Sequence, residues 1–399
     1  MNGKEVYITG AGMVSALGIG KETTWEALKK QQSGLGSVRY VQTVHRDLPS
    51  GEVGYSDVEM KALLRIPPEE AYIRSSLLAI PAVDEAMQQA QLNSEDARNL
   101  TFLSGITVGG MDKVEIMYDD FLYTDTKNDY VRLIDCGACT EQIADFFGGF
   151  RRVSTIVTAC SSSANAIMTG ADLILEGHAD IVVAGGCECL SRYHINGFNT
   201  LKILDTEICK PFDRDRAGIN LGEGAGYIVM ESAGSVQRRG VTPIGRVTGY
   251  CNACDAYHQT ASSPEGEGAY LAMKGAIERA GLTPADIDYL NAHGTGTPNN
   301  DLTEGIAIMR LFGDNIPPVS SVKCYIGHTT SAAGGIEAVI SLLIMRDGVL
   351  PVQANFRNRI EEHSFSPVTN PTPLRPVRHI LSNAFGFGGN TSAIVLSQI

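Results

Sequence analysis

Cys160, His293 and His328 each sit in a short run rich in small or turn-forming residues. The runs are V-T-A-C-S-S-S, N-A-H-G-T-G-T-P and V-K-C-Y-I-G-H, and the last also carries Lys323. One thiol and two imidazoles suffice for acyl transfer through a thioester. The thiolate accepts an acyl group, and the imidazoles handle charge and protons in a second step. A glycine loop, Gly386-Phe387-Gly388-Gly389, lies further along the chain. Its backbone N–H groups are suited to holding an oxyanion.

Each segment also has a plainer reading. A cysteine is most often a small core residue. A histidine beside a Gly/Thr loop can simply bond the adjacent backbone, and G-F-G-G can be a bare β-turn. It is the joint occurrence, in this order, that points to chemistry. Cys160 is expected to end a strand and open a helix. The unpaired N–H groups and positive dipole end of that helix favour thiolate over thiol. Lys323 is expected on a buried turn, where an ammonium needs a carboxylate. Glu337 and Glu304 are the candidates. Asp301-Leu302-Thr303-Glu304 reads as a capping box that opens a helix.

The elements that must position these residues follow from hydrophobic periodicity. Strands are expected over 6–10, 155–158, 181–185 and 287–291. Helices are expected over 22–30, 71–90, about 162–176, and from about 331. Pro81 should kink or split the second of these. Alternating strands and helices indicate an α/β fold. The segments 157–174 and 319–344 read alike: strand, reactive residue, small-residue turn, helix. Two similar halves, 1–240 and 241–399, would bring both turns to one site if they met face to face. The apolar run I-E-A-V-I-S-L-L-I-M should then be buried between layers.

Composition narrows the function classes. The chain has 399 residues, 43% of them hydrophobic, with 43 Gly, enough for a large core with many turns. Its net charge of −13, with no Lys/Arg run longer than two, argues against nucleic acid as a partner. No stretch of about 18 uncharged apolar residues suggests a membrane span. The N-terminus leads directly into a strand-like run, so a cytoplasmic protein whose nine cysteines stay reduced is expected. Two C-x-x-C pairs, at Cys136/Cys139 and Cys251/Cys254, lack the flanks of a zinc ribbon. Gly10-Ala11-Gly12 lacks the third glycine of a dinucleotide fingerprint. No metal and no cofactor are expected.

Taken together, the motifs resemble one family, the β-ketoacyl-acyl-carrier-protein synthases of the thiolase superfamily, and their elongating branch most closely. The resemblance spans nearly the whole chain. It runs from V-Y-I-T-G-A-G-M-V-S, through P-F-D-R-D-R-A-G-I-N-L-G-E-G-A-G at 211–226, to N-A-F-G-F-G-G-N-T. A Cys-His-His set with a lysine fits elongation, whereas initiating synthases typically use Cys-His-Asn. A thiolase would need a C-terminal C-x-G in place of G-F-G-G.

The resemblance implies a five-layered αβαβα fold in two similar halves, and a homodimer or a heterodimer with a related subunit. It implies decarboxylative condensation of an acyl-enzyme thioester with malonyl-acyl-carrier protein, in fatty-acid elongation or in a dedicated type II polyketide or polyene pathway. The alternative role of a non-catalytic chain-length partner subunit commonly goes with loss of the nucleophile, which this chain keeps. Cys160 would carry the acyl chain, and the N–H groups of Cys160 and Phe387 would form its oxyanion hole. His293 and His328 would stabilise the malonyl enolate, and Lys323 with Glu337 would hold that region, supported by Glu304 and Asp301. Thr295 and Thr297 would touch the pantetheine arm, and Phe198, Val114, Phe385 and Phe387 would line the acyl pocket. Lys202, Arg74 and Arg65 would dock the carrier protein. The chain departs from the family at Asn390-Thr391, which are swapped, at the thin basic run after Arg65, and over 117–145.

Overall fold

The structure is a computed structural model and describes residues 5–124, 130–371 and 376–399. Ten strands carry the fold. They are β1 (Val6–Ser15), β2 (Thr101–Gly105), β3 (Arg152–Ile156), β4 (Ile181–Glu188), β5 (Gly224–Ser232), β6 (Gly245–Cys254), β7 (Tyr289–Asn291), β8 (Val319–Ser320), β9 (His379–Phe385) and β10 (Asn390–Ser397). A two-residue return, Gly18–Ile19, also pairs with β1. Eight helices matter here: α1 (Arg74–Gln89), α2 (Met111–Tyr123), α3 (Cys136–Phe146), α4 (Ser162–Leu175), α5 (Arg192–Thr200), α6 (Glu267–Arg279), α7 (Pro298–Phe312) and α8 (Ala333–Asp347).

Strand order exposes an internal repeat. The strands run β3-β2-β4-β5-β1-β6-β10-β9-β7-β8. Read from the outer edge inward, each half has its third, second, fourth, fifth and first strand. Strand directions repeat too. β2 is parallel to β3 and β4, and β7 is parallel to β8 and β9. The other pairings within each half are antiparallel. The halves meet where Val6–Ile8 of β1 pairs antiparallel with Gly245–Val247 of β6.

Parallel neighbours need crossover helices, and these build the layers. α4 follows β3, and α8 follows β8. These two helices touch each other, and each contacts strands of both halves: α4 meets β2, β4 and β10, while α8 meets β4, β5 and β9. They form the middle layer. α1 and α3 cover the outer face of the first half, and α6 and α7 cover that of the second. The result is the thiolase-like αβαβα sandwich of two similar halves. Cys160 at the β3–α4 junction and Lys323 with His328 at the β8–α8 junction occupy corresponding turns, as the two similar segments predict.

Element boundaries differ from the expectations in instructive ways. β1 runs five residues past Gly10. Its glycines serve packing: a Cβ at Gly10 would lie 2.0 Å from the Ala86 carbonyl oxygen, and one at Gly12 would lie 2.2 Å from that of Ala82. They let α1 approach the strand. α1 itself continues through Pro81 as one helix. Leu77, Leu78, Ile80 and Val83 are fully buried, and this packing offsets the hydrogen bond that proline removes. β3 spans 152–156, not 155–158, so residues 157–159 leave the sheet before the cysteine. β7 is only Tyr289–Asn291. Among the described residues, no helix is long and apolar enough to cross a membrane.

The middle layer sits very close to the first sheet. A Cβ on Gly226 of β5 would lie 2.2 Å from the Ile336 nitrogen and 2.4 Å from the Gly335 carbonyl carbon of α8. Backbone on both sides cannot yield as a side chain would. Gly226→Ala should therefore destabilise the protein by about 1–3 kcal/mol or more, read as a lower denaturant midpoint. An unchanged midpoint would show that α8 shifts freely.

Candidate active site

Cys160, His293 and His328 line one cavity of about 300 Å³. Phe198, Phe385, Phe387, Thr295, Thr297 and Lys202 line it as well. Thus nine residues singled out from sequence converge on one space. Val114 is not among its lining residues; it lies on α2, which packs against α5, the helix of Phe198. Arg65 is exposed at the left-handed C-cap of the helix Asp57–Leu64 and does not reach the cavity.

The nucleophile's turn is tightly built. Ala159 has φ 52, a left-handed conformation uncommon for alanine, so the chain turns sharply before Cys160. The Ser162 hydroxyl donates to the Ala159 carbonyl (2.6 Å) and accepts from Thr158 N–H (2.9 Å). Cys160 N–H and Phe387 N–H both bond toward the sulfur. The G-F-G-G loop thus supplies a second donor beside the cysteine's own N–H, and its turn uses left-handed backbone at Gly388 (φ 83) and Gly389 (φ 79). The Phe387 ring stacks on Phe198, centroids 5.7 Å apart at 25°.

Asn390, the swapped residue, is a hub that sequence reading did not recognise. Its side-chain oxygen accepts from Ser161 Oγ (2.7 Å), Asn165 Nδ2 (2.9 Å) and Asn252 Nδ2 (2.7 Å). It ties the glycine loop to the first turn of α4. Thr391 Oγ1 bonds the Ala253 carbonyl instead.

The two histidines face each other, ring centroids 5.2 Å apart and nearly perpendicular. Both Nδ1 atoms are buried without a hydrogen-bond partner among the described residues. Burial, and then the nearby Lys323 ammonium, holds each imidazole well below its ordinary pKa. Both rings are therefore neutral at neutral pH. The His328 backbone is clamped by the 211–226 motif: its N–H donates to the Asn220 carbonyl (2.8 Å), and its carbonyl accepts from Gly222 N–H (2.9 Å).

Lys323 lies in a one-turn helix, Lys323–Ile326, rather than an open turn. Its Nζ pairs with Glu337 Oε1 at 2.6 Å, with side chains 1% and 2% exposed. Of the two candidate carboxylates, Glu337 is the partner. Glu304 does other work. It accepts from His293 N–H and Gly294 N–H, each at 2.8 Å. Asp301 accepts from Thr295 N–H (2.9 Å) and Phe212 N–H (2.7 Å). The expected capping box is thus overturned. α7 begins earlier, with Thr297 as N-cap and Pro298 in its first position. Asp301 and Glu304 lie inside the helix and fix the histidine loop.

Arg74 is also corrected. It is 4% exposed, and its guanidinium bonds Glu223 (2.8 Å through Nε) and Asp57 (2.8 Å). The Glu223 carboxylate in turn accepts from Val53 N–H and Leu190 N–H. A guanidinium buried and neutralised in this way cannot meet a partner protein. Lys202, by contrast, is exposed at the cavity mouth.

The thiol expectation changes too. Burial pushes Cys160 up to about 12, while the Lys323 charge and the Phe387 and Cys160 N–H groups pull the other way. Burial outweighs that charge and those donors, so the resting group is a thiol. Glu188, at the end of β4, adds to this. It is fully buried, accepts from Ser331 Oγ (2.8 Å) and Thr107 N–H (2.9 Å), and raises the thiol further.

Residues 3–235 match the family model of the beta-ketoacyl synthase N-terminal domain, and residues 244–357 match that of its C-terminal domain. The 3-oxoacyl-[acyl-carrier-protein] synthase 2 of Staphylococcus aureus strain COL is 34% identical over 414 residues, covering 99% of this chain and 98% of the relative. The protein of the same name from Rhizobium meliloti is 35% identical, covering 99% of each. Among solved structures, the ishigamide ketosynthase/chain length factor superposes with a TM-score of 0.92 at 29% identity, covering 99% of each chain.

The raised thiol gives a direct test. Alkylation of Cys160 by iodoacetamide, followed by peptide mass spectrometry, should speed up roughly tenfold per pH unit between about pH 7 and about pH 10. No plateau should appear. A plateau near neutral pH would mean a resting thiolate.

Proposed function

This chain belongs to the beta-ketoacyl synthase family, and we propose that it extends acyl chains in fatty-acid synthesis, joining an acyl-Cys160 thioester to malonyl-acyl-carrier protein to give 3-oxoacyl-acyl-carrier protein and CO₂. The observation that carries this reading is the convergence of one buried thiol, two neutral imidazoles and two sulfur-directed N–H groups on a single cavity. The curated relatives carry the name of that activity.

In the first half-reaction, Cys160 sulfur attacks the acyl thioester carbonyl. The Cys160 and Phe387 N–H groups hold the developing oxyanion. The carrier's pantetheine thiol leaves with the proton that Cys160 gives up. In the second, His293 and His328 donate N–H bonds to the malonyl thioester carbonyl, which a neutral imidazole can do without carrying charge itself. CO₂ leaves, and its electron pair forms the enolate. The enolate carbon attacks the acyl-Cys carbonyl. The carbon–carbon bond forms, the C–S bond breaks, and the released thiolate takes a proton from water to restore the thiol. Burial, reinforced by the Lys323 ammonium that Glu337 fixes, keeps both rings neutral. Thr295 and Thr297, whose hydroxyls are 2.8 Å apart at the cavity wall, would receive the pantetheine arm. No cofactor is required, since substrates arrive on phosphopantetheine.

The carrier protein is acidic, so Lys202 at the mouth is its docking contact, with exposed Arg65 a more distant one. We also place a second copy of the chain along β3. This strand is an unpaired sheet edge, and Val153 (38%) and Val157 (53%) are exposed on and beside it, close to the nucleophile. Such an assembly and substrate fit the cytoplasm.

One observation favours a second reading. The TM-score of 0.92 is with a ketosynthase/chain length factor. A dedicated polyene or polyketide pathway, with a related subunit along β3, would then replace fatty-acid elongation. Intact-mass analysis after mixing with a panel of acyl-carrier proteins separates the two by the chains that load. Native mass spectrometry of the purified protein reports whether it is a homodimer. A monomer that dimerises only with a related subunit would sink the homodimer.

Three substitutions test the roles. Cys160→Ala should abolish the acyl adduct with the fold intact. His293→Ala and His328→Ala should each slow malonyl decarboxylation by roughly 10²–10³ and impair Cys160 loading less. A histidine variant that loads poorly but decarboxylates normally would reverse its assignment. Lys202→Glu should raise KM for carrier-bound substrate, less so in high salt, and barely affect a small pantetheine thioester. Equal losses on both substrates would place Lys202 in the site or the fold.

A further inference from the structure

A second cleft, of about 610 Å³, lies at the opposite end of the first half's sheet from Cys160. It is lined by the first residues of three parallel strands, Thr101, Arg152 and Ile181, whereas Cys160 follows the far end of β3. Four arginines line it: Arg151, Arg152, Arg238 and Arg239. Asp180 is the sole carboxylate among its described lining residues. Such a concentration of positive charge is unexpected in a chain of net charge −13.

Three of the four guanidiniums have partners. Arg239 bonds Glu231 and the Ala90 carbonyl. Arg238 bonds Asp180 at 2.8 Å, and Ser232 Oγ holds the other Asp180 oxygen. Arg152 donates to the His178 carbonyl at 3.1 Å. The Arg151 guanidinium has no partner among the described residues. Each guanidinium carries five N–H donors, so some remain free even where an anchor exists. Glu231 and Asp180 neutralise two of the four charges and leave two. Apart from the His178 imidazole, no ring lines the cleft, so it offers no platform for a nucleobase.

We propose that this cleft binds a small polyphosphorylated anion through its phosphates alone, with pyrophosphate as the minimal ligand. Arginine forks match phosphate oxygens bidentately. Two surplus charges suit two linked phosphates better than one. The anchored Arg239, paired with buried Glu231, lowers the ordering cost of binding. The site is separate from the thioester chemistry and does not rest on that assignment.

Isothermal titration of the purified protein with sodium pyrophosphate, in chloride buffer free of sulfate, tests it. Wild type should bind saturably, and the affinity should fall as salt rises. Arg151→Ala and Arg238→Ala should each weaken binding by roughly tenfold, with thermal unfolding unchanged for the exposed Arg151 variant. Lys30→Ala, at an exposed lysine outside both cavities, should bind as wild type. ADP should bind about as tightly as pyrophosphate, since the base finds no contact, and sulfate much more weakly. No saturable binding, or binding indifferent to Arg151 and Arg238, would overturn the proposal. So would sulfate competing as an equal, which would mean general charge attraction, or ADP binding far more tightly, which would mean a base-reading site.

Discussion

The buried Lys323–Glu337 pair is the constraint on which the site depends. Two charges almost wholly out of water are costly to desolvate. Removing one partner from such a pair typically costs about 3–5 kcal/mol. The pair is kept in the interior between the halves, where Lys323 precedes the His328 turn and Glu337 lies on the middle-layer helix. One consequence is geometric, because the turn is anchored to the least movable layer of the sandwich. The other is electrical. A fixed ammonium beside two imidazoles disfavours their protonation, and it partly offsets the desolvation of the thiol.

Around that pair, backbone is fixed by side chains that never face the cavity. Glu304 and Asp301 reach up from α7 to hold four successive N–H groups, from His293 to Gly296. Burial pushes Glu304 up to about 7, against the pull of the Gly294 N–H and its other donors. Asn390 does the same for the glycine loop and the start of α4. These polar groups act as clamps, and each joins segments far apart in sequence. Three loops with left-handed residues, at 159, at 294 and 296, and at 388 and 389, would otherwise relax. Preorganised donors are useful to catalysis only if they do not reorganise during it.

Much of this was legible from sequence because reactive residues sit at element junctions, and junctions are marked by composition. Cys160, His293 and His328 stood out by the small residues around them, and Lys323 by the cost of burying it. The paired turns at β3–α4 and β8–α8 were visible as two similar segments. What failed was whatever depended on distant packing. Arg74 looks like a surface base until Glu223, 149 residues away, closes on it. Asp301 and Glu304 fit a capping spacing, but Thr297-Pro298 opens the helix first. Pro81 should break a helix that packing keeps whole. Asn390 gave no local signal, since its three donors come from α4 and β6. Local rules describe what a segment prefers alone, and the close approach of backbone layers decides the rest.

The resting site is then nearly uncharged apart from one anchored ion pair: a protonated thiol and two neutral imidazoles share the cavity wall. That state is cheap to keep dry, since no lone ion demands water. Negative charge arises only during reaction, first on the oxyanion at Cys160 and later on the enolate oxygen. Each time it appears where N–H donors already point and within reach of the Lys323 field. In a water-poor cavity such interactions are worth more than in solvent. A depressed, permanently ionised cysteine would forfeit this, because the N–H pair would be spent on the ground state rather than on the transition state. The high resting pKa of Cys160 is therefore compatible with an efficient nucleophile, and it follows from the same burial that makes the donors strong.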